Sequence, residues 1–83
     1  MRVAVKLFAL YRDLTGTSEV SLELPAEATV ADLCREIRRR LPALPQEPYP
    51  LVVAVNQEYA DDEHPLQDGD EAALIPPVSG GGR

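Results

Sequence analysis

The sequence predicts an α+β domain, in which a mixed sheet is covered by one main helix. Two short runs near the N-terminus alternate apolar and polar residues, with a glycine between them. A single central stretch repeats apolar residues at helical spacing, and further runs of strand length follow it. At 83 residues the chain is one domain with room for a modest core. The predicted element order is β-β-α-β-β-β.

The first two predicted strands span Arg2 to Phe8 and Glu19 to Leu24. Every second residue in these runs is apolar, which is the period of a half-buried strand. The residues expected to face the core are Val3, Val5, Leu7, Val20, Leu22 and Leu24. Residues 11–16 are predicted to turn, because Gly16 can adopt a positive φ. Two such runs around a glycine-containing loop predict an antiparallel hairpin.

The helix is predicted to begin after Thr29 and to end near Leu41. The Thr29 hydroxyl can cap free amides, and Asp32 places an acid near the positive end of the helix. The apolar stripe comprises Val30, Leu33, Cys34, Ile37 and Leu41. Arginines 38–40 lie in the last turn, where cations interact favourably with the helix dipole. We interpret them as solvated charges rather than as an anion site.

Four prolines between residues 42 and 50 predict a stiff loop. The nearly continuous apolar run 51–55 predicts a strand inside the sheet. A short strand over 58–60 and a last strand over Glu71–Ile75 follow, with a turn at Gly69 between them. The ubiquitin-like β-grasp has this order of elements, and we predict that topology for residues 1–77.

Charge and composition narrow the class of protein. The formal net charge of −6 argues against a nucleic-acid ligand, whose phosphates would be repelled. It suits a partner with a basic face, or it serves solubility alone. No run approaches the length of a membrane span, and the N-terminus does not resemble a signal peptide. A single cysteine fits a reducing compartment, so a cytoplasmic location is expected.

Two side chains that often carry chemistry are interpreted as structural. Cys34 falls on the apolar helix stripe, whereas a nucleophilic thiolate needs exposure and a nearby base or positive charge. His64 stands in an acidic turn, without other His or Cys residues spaced for a metal. We therefore expect no metal site and no catalyst in the globular part.

The C-terminal segment 78–83 is predicted to be a flexible tail with a function. Pro76-Pro77 keep the preceding chain extended, and the glycines that follow can pass a narrow constriction. Four extended residues, Val78 to Gly81, span about 13–14 Å. Such a tail can deliver a terminal carboxyl group into another protein's active site. The alternative is an ordinary flexible terminus.

Nearly the whole chain resembles the sulfur carriers of the MoaD/ThiS type, which include the small subunit of molybdopterin synthase. The resemblance is most specific in the C-terminal third and recurs near the N-terminus. The residues that carry it are Asn56-Gln57, His64-Pro65-Leu66, Asp68-Gly69-Asp70-Glu71, Ala73, Pro76-Pro77-Val78-Ser79-Gly80-Gly81, Leu7-Phe8-Ala9, Arg12-Asp13-Leu14 and Gly16. It implies a β-grasp fold and a role in molybdenum cofactor biosynthesis.

The resemblance also implies the chemistry of the tail. An E1-like adenylating enzyme uses ATP to adenylate the carboxylate of Gly81, and sulfur then replaces the adenylate to give a thiocarboxylate. The tail inserts into the large subunit of molybdopterin synthase, where the sulfur goes to cyclic pyranopterin monophosphate. Gly80 precedes the sulfur-bearing residue, and no cofactor is expected to bind the carrier itself. The other expected partner contacts are Phe8, Arg12, Pro76, Pro77, Val78 and Ser79.

Two of these expected contacts lie outside the tail. Alternation in the first strand turns Phe8 away from the core, where an aromatic side chain can anchor an interface. Arg12 is expected in the turn that follows, where the family's opening motif has an arginine. A solvated surface arginine is the alternative for Arg12.

The sequence departs from the family pattern after Gly81, because Gly82 and Arg83 follow. We expect a protease to trim these residues and the 83-residue form to be inactive. Three other functions stay open: a sulfur carrier for thiazole or cysteine synthesis, a protein modifier conjugated through Gly81, and a non-catalytic β-grasp interaction domain.

Overall fold

The computed structural model describes residues 1–77. The elements in chain order are β1 (Arg2–Leu7), α1 (Ala9–Thr15), β2 (Glu19–Glu23), α2 (Val30–Arg40), β3 (Val52–Val55), β4 (Glu58–Ala60) and β5 (Glu71–Ile75). The strands form one sheet in the order β2-β1-β5-β3-β4. β1 and β5 are parallel, and the other neighbours are antiparallel. The predicted α+β fold with a mixed sheet is confirmed.

The segment predicted to turn between the first two strands is a helix instead. α1 begins directly after Phe8, and Phe8 lies at the junction between β1 and α1. Gly16 ends α1 in the left-handed conformation at φ 72°, and its N–H donates to the Arg12 carbonyl at 2.8 Å. The prediction that Gly16 adopts a positive φ is confirmed, but this glycine ends a helix rather than forming a turn. The observed order is therefore β-α-β-α-β-β-β.

Helix α2 covers the inner face of the sheet, as predicted. Leu33 and Ile37 are fully buried and belong to one core cluster with the inward-facing residues of β1 and β5. The backbone N–H of Thr29 donates to the Asp32 carboxylate at 2.9 Å, which confirms the predicted N-terminus. This hydrogen bond, helped by Arg35, lowers the pKa of Asp32. Neither helix within residues 1–77 is long and apolar enough to cross a membrane.

The prediction that all three arginines at the end of α2 are solvated is wrong for Arg38. Its side chain is only 10% exposed, whereas Arg39 is 71% exposed. The Arg38 guanidinium donates to the backbone carbonyls of Pro45, at 3.0 Å, and of Tyr49. The carbonyls come from the Pro-rich loop 42–50, so Arg38 ties this loop to the helix.

Candidate functional site

The tail leaves the domain from the centre of the sheet. β5 lies between β1 and β3, and its last paired residue is Ile75, opposite Val52. Pro76 is half-buried and Pro77 is exposed. Neither proline has a backbone N–H, so pairing cannot continue past this point. The expected contacts Val78 and Ser79 and the expected reactive glycines Gly80 and Gly81 lie outside the described residues.

An apolar patch on the outer face of the sheet lies beside the tail exit, and we call it the tail-base surface. The strand register places its residues on one face, with Ala54 opposite both Ala73 and Tyr59. Its members are Phe8, Val52, Ala54, Tyr59, Ala73 and Ile75. Tyr59 is 76% exposed and Val52 is 47% exposed. Exposed apolar side chains gathered on one face are typical of a protein–protein interaction site.

A groove of about 490 Å³ joins this surface to the Pro-rich loop and to Pro76 and Pro77. Its lining is almost wholly apolar and consists of Tyr11, Pro45, Tyr49, Pro50, Val52, Tyr59, Ile75, Pro76 and Pro77. We call it the tail-base groove. Burial raises the pKa of Tyr11, against the opposing effect of Arg38. The groove therefore offers shape and apolar contact to a partner rather than charge.

Charged residues on the other half of the outer face are paired with one another. Arg2 contacts Glu23 at 2.7 Å, and Lys6 contacts Glu71 at 2.7 Å. The hydrogen bond with Glu71 raises the pKa of Lys6, which therefore stays charged at physiological pH. The outer face therefore has an apolar half and a charged half.

Phe8 and Arg12 are placed differently from one another. Phe8 is 45% exposed and lies with Ala54 and Ala73 along a small cleft of the outer face, which confirms its predicted outward orientation. Arg12 is exposed but lies in helix α1, so the prediction that it stands in a turn is wrong. Contact with a partner remains a prediction for both residues.

Cys34 and His64 have structural positions. Cys34 is 6% exposed, and burial raises the pKa of its thiol to about 11, so the reactive thiolate is scarce at neutral pH. This confirms its interpretation as a core residue. His64 is exposed, and its carbonyl accepts the Val30 N–H at 3.0 Å at the start of α2. Within residues 1–77, no three His, Cys, Asp or Glu side chains converge as metal ligands.

The sequence analysis missed most of the tail-base surface. It predicted from the nearly continuous apolar run 51–55 a strand inside the sheet, which is confirmed because β3 lies between β5 and β4, but it did not identify Val52, which is 47% exposed, as part of a surface. Tyr49 is 69% exposed and was treated only as part of a stiff loop. Alternation along β5, where Ala73 and Ile75 fall on one side, is the signal that could have revealed an apolar outer face.

Comparison with known proteins places this fold and tail in a family. The chain matches the ThiS family over residues 5–81, which include most of the described domain and the pair Gly80-Gly81. The chain belongs to the ThiS family. Among its relatives in this family is the molybdopterin synthase sulfur carrier subunit of Chlamydomonas reinhardtii, with 42% identity over 98% of this chain and 100% of that protein.

Solved structures of similar proteins agree with the ThiS-family assignment. The crystal structure of SAMP1 from Haloferax volcanii has 31% identity and a TM-score of 0.88, covering 98% of this chain and 100% of SAMP1. A Helicobacter pylori complex of subunits 1 and 2 of molybdopterin-converting factor contains a chain with 27% identity and a TM-score of 0.69. That match covers 98% of this chain and 100% of the other. The ubiquitin-like β-grasp fold is thereby confirmed.

Proposed function

We propose that this protein is the sulfur carrier subunit of a molybdopterin synthase. The observation that carries the proposal is the ThiS-family match, which extends through the sheet and the tail exit to Gly81. A relative with the name of that subunit is 42% identical over its full length. The tail follows the central strand and begins beside an exposed apolar surface. A partner that receives the tail can bind this surface at the same time.

The proposed chemistry belongs to the terminal carboxyl group of Gly81. This carboxylate attacks the α-phosphate of ATP, which forms a glycyl adenylate and releases pyrophosphate. A sulfur nucleophile then displaces AMP, and the product is a C-terminal thiocarboxylate. Adenylation is needed because a free carboxylate is a poor electrophile. The sulfur then passes to cyclic pyranopterin monophosphate, and two such deliveries complete the dithiolene of molybdopterin.

The proposed partners are the large subunit of molybdopterin synthase and an E1-like adenylating enzyme. A related small subunit is known in complex with its subunit 2, in the Helicobacter pylori protein. We assign the tail-base surface to the large subunit, because a protein that receives residues 78–81 must lie close to Pro77. Arg12, exposed on α1, is a further proposed contact. Two carriers and two large subunits then form a dimer of dimers.

Intact mass spectrometry tests the proposed function. The protein is purified from its own cells, both in the natural form and with Gly80 and Gly81 deleted. We expect a fraction of the natural form to carry one sulfur in place of one oxygen at Gly81, and we expect the deletion to abolish molybdoenzyme activity. Normal molybdoenzyme activity in the deletion strain would instead support a non-catalytic interaction domain.

Replacing Phe8 by alanine is expected to weaken binding to the large subunit about tenfold, because buried aromatic side chains dominate interface energetics. Folding should change by less than about 1 kcal/mol, since Phe8 is already 45% exposed in the free protein. Calorimetric titration and thermal unfolding measure the two effects. Ser21→Ala, on the polar half of the same face, is the control. Equal losses in binding and in folding would place Phe8 in the core.

A protein modifier is the second candidate function. The observation that favours it is the TM-score of 0.88 to SAMP1, and small archaeal modifier protein 1 is the name of a similar chain from the same organism. Such a function uses the same activated Gly81 but transfers it to lysine amines. Isopeptide-linked conjugates of this protein, found by mass spectrometry of cell extracts, would support this second function. Cyclic pyranopterin monophosphate as sulfur acceptor would support the first.

A further inference from the structure

We infer that Arg38 is a positioning residue for partner binding, because it holds the Pro-rich loop as one wall of the tail-base groove. The inference rests on the proposed function, since it concerns the surface that we assign to the large subunit. Within residues 1–77, the side-chain hydrogen bonds of Arg38 go to the Pro-rich loop. Arg38 acts through Tyr49 and Pro50, which line the groove together with Pro76 and Pro77.

The contacts of Arg38 define this role. Its Nε donates to the Pro45 carbonyl at 3.0 Å, and its Nη2 donates to the Tyr49 carbonyl. Pro45 and Tyr49 both line the tail-base groove. The guanidinium therefore holds the two ends of the segment that forms the groove wall. Glu47, between these ends, lies 3.7 Å from Nη1 and is 85% exposed.

The loop depends on an external donor because of its composition. Proline has no backbone N–H, and prolines occupy positions 45, 48 and 50. Within the loop, the Tyr49 N–H donates to the Gln46 carbonyl, and the Gln46 side chain donates to the Leu44 carbonyl. The carbonyls of Pro45 and Tyr49 obtain their donors from Arg38. A rigid guanidinium fork reaches both acceptors at once, whereas the compact ammonium of lysine is a single point charge.

The expected occupant of the groove is an apolar side chain of the large subunit. Pro76 and Pro77 line the same groove as the Pro-rich loop, and the chain continues from Pro77, so the protein that receives the tail lies close to this groove. Tyr49 is 69% exposed, and its ring offers a large contact area at low cost in conformational entropy. The lining contains no charged side chain, which excludes recognition by an ion pair inside the groove.

Sulfur-transfer kinetics test the inference with Arg38→Met. The carrier is prepared as its Gly81 thiocarboxylate, and the rate of sulfur transfer is followed against carrier concentration at fixed large subunit. We expect the KM for the carrier to rise about tenfold with kcat unchanged, because the variant loses docking surface and keeps its tail. Arg39→Met is the matched control: it removes the same charge from the same helical turn, but its side chain is exposed. Its KM should stay at the unmodified value.

Tyr49→Ala supplies a second variant, and it keeps the backbone carbonyl to which Arg38 donates. We expect its KM to rise about as much as that of Arg38→Met. The KM of the double variant should not exceed the higher KM of the two single variants, because both changes remove the same wall of the groove. If Arg38→Met does not fold, Arg38→Lys takes its place, because lysine keeps the charge and lacks the guanidinium fork.

Three results would overturn the inference. An unchanged KM for Tyr49→Ala would mean that this wall does not contact the large subunit. A lower melting temperature for Arg38→Met with an unchanged KM would leave Arg38 a purely structural role. A loss confined to the adenylating enzyme would reassign the groove to that protein. If the unmodified carrier itself fails to bind the large subunit, the proposed function fails, and this inference fails with it.

Discussion

Replacing Leu33 by alanine is expected to lower the free energy of unfolding by about 2–5 kcal/mol. Leu33 is fully buried in α2, and the deletion leaves a cavity between that helix and the sheet. Domains of this size are stable by only about 5–15 kcal/mol in total, so a large part of the stability is at stake. In thermal unfolding, each kcal/mol corresponds to a fall of about 4–8 °C in melting temperature.

Leu14→Ala is the matched control for this experiment. It removes the same atoms from a helix, but Leu14 is 46% exposed. Its effect should stay within about 0.5 kcal/mol. Similar losses for both variants, measured by chemical denaturation, would mean that α2 does not form the main core contact. The comparison thereby tests the fold separately from the function.

Local sequence patterns were sufficient to predict the sheet and helix α2. Burial of one face of a strand produces an apolar residue at every second position, and Val3, Val5 and Leu7 are each at most 1% exposed. The start of α2 could be predicted because Thr29, three residues before Asp32, donates both its N–H and its hydroxyl to the Asp32 carboxylate. Such signals need no knowledge of distant contacts.

Helix α1 was missed because it lacks the local signals of a helix. Its seven residues bury only Tyr11, so the helix has no buried apolar stripe. The residue before it, Phe8, makes no side-chain cap hydrogen bond. Leu10 and Leu14 share a helical spacing but are 48% and 46% exposed, so their pattern does not mark a core-facing side. Gly16 was the one signal present, and a glycine ends a helix as readily as it forms a turn.

The tail-base groove was missed because its parts are distant in sequence. Tyr49 comes from the Pro-rich loop, Tyr59 from β4, and Pro76 follows β5. The strand order brings these segments next to one another, and no local sequence pattern indicates that order. Arg38 was misassigned for the same reason: a charged residue at a helix end is usually solvated, and its partners are carbonyls of a separate loop.

The largest functional effect is expected at the tail, where residues after Gly81 should block activation completely. A form that ends at Gly81 presents a small carboxyl terminus to the adenylating enzyme. In a form that retains Gly82 and Arg83, the carboxyl group of Gly81 is part of a peptide bond. The arginine also adds a long cation, which must be desolvated to enter a site shaped for glycine. We therefore propose that a protease cleaves after Gly81.

The decisive experiment gives ATP and the adenylating enzyme to two purified forms, the 83-residue chain and the chain cut after Gly81. We expect pyrophosphate release with the cut form alone. Loss of Arg83 removes one positive charge and changes the formal net charge from −6 to −7, so ion exchange separates the two forms and detects trimming during the assay. A cut form with Gly81→Arg is the control for size and charge at the chain end, and it should be as inactive as the 83-residue chain. Equal pyrophosphate release from both forms, with no cleavage seen by mass, would show that the enzyme accepts arginine at the terminus and that trimming is unnecessary.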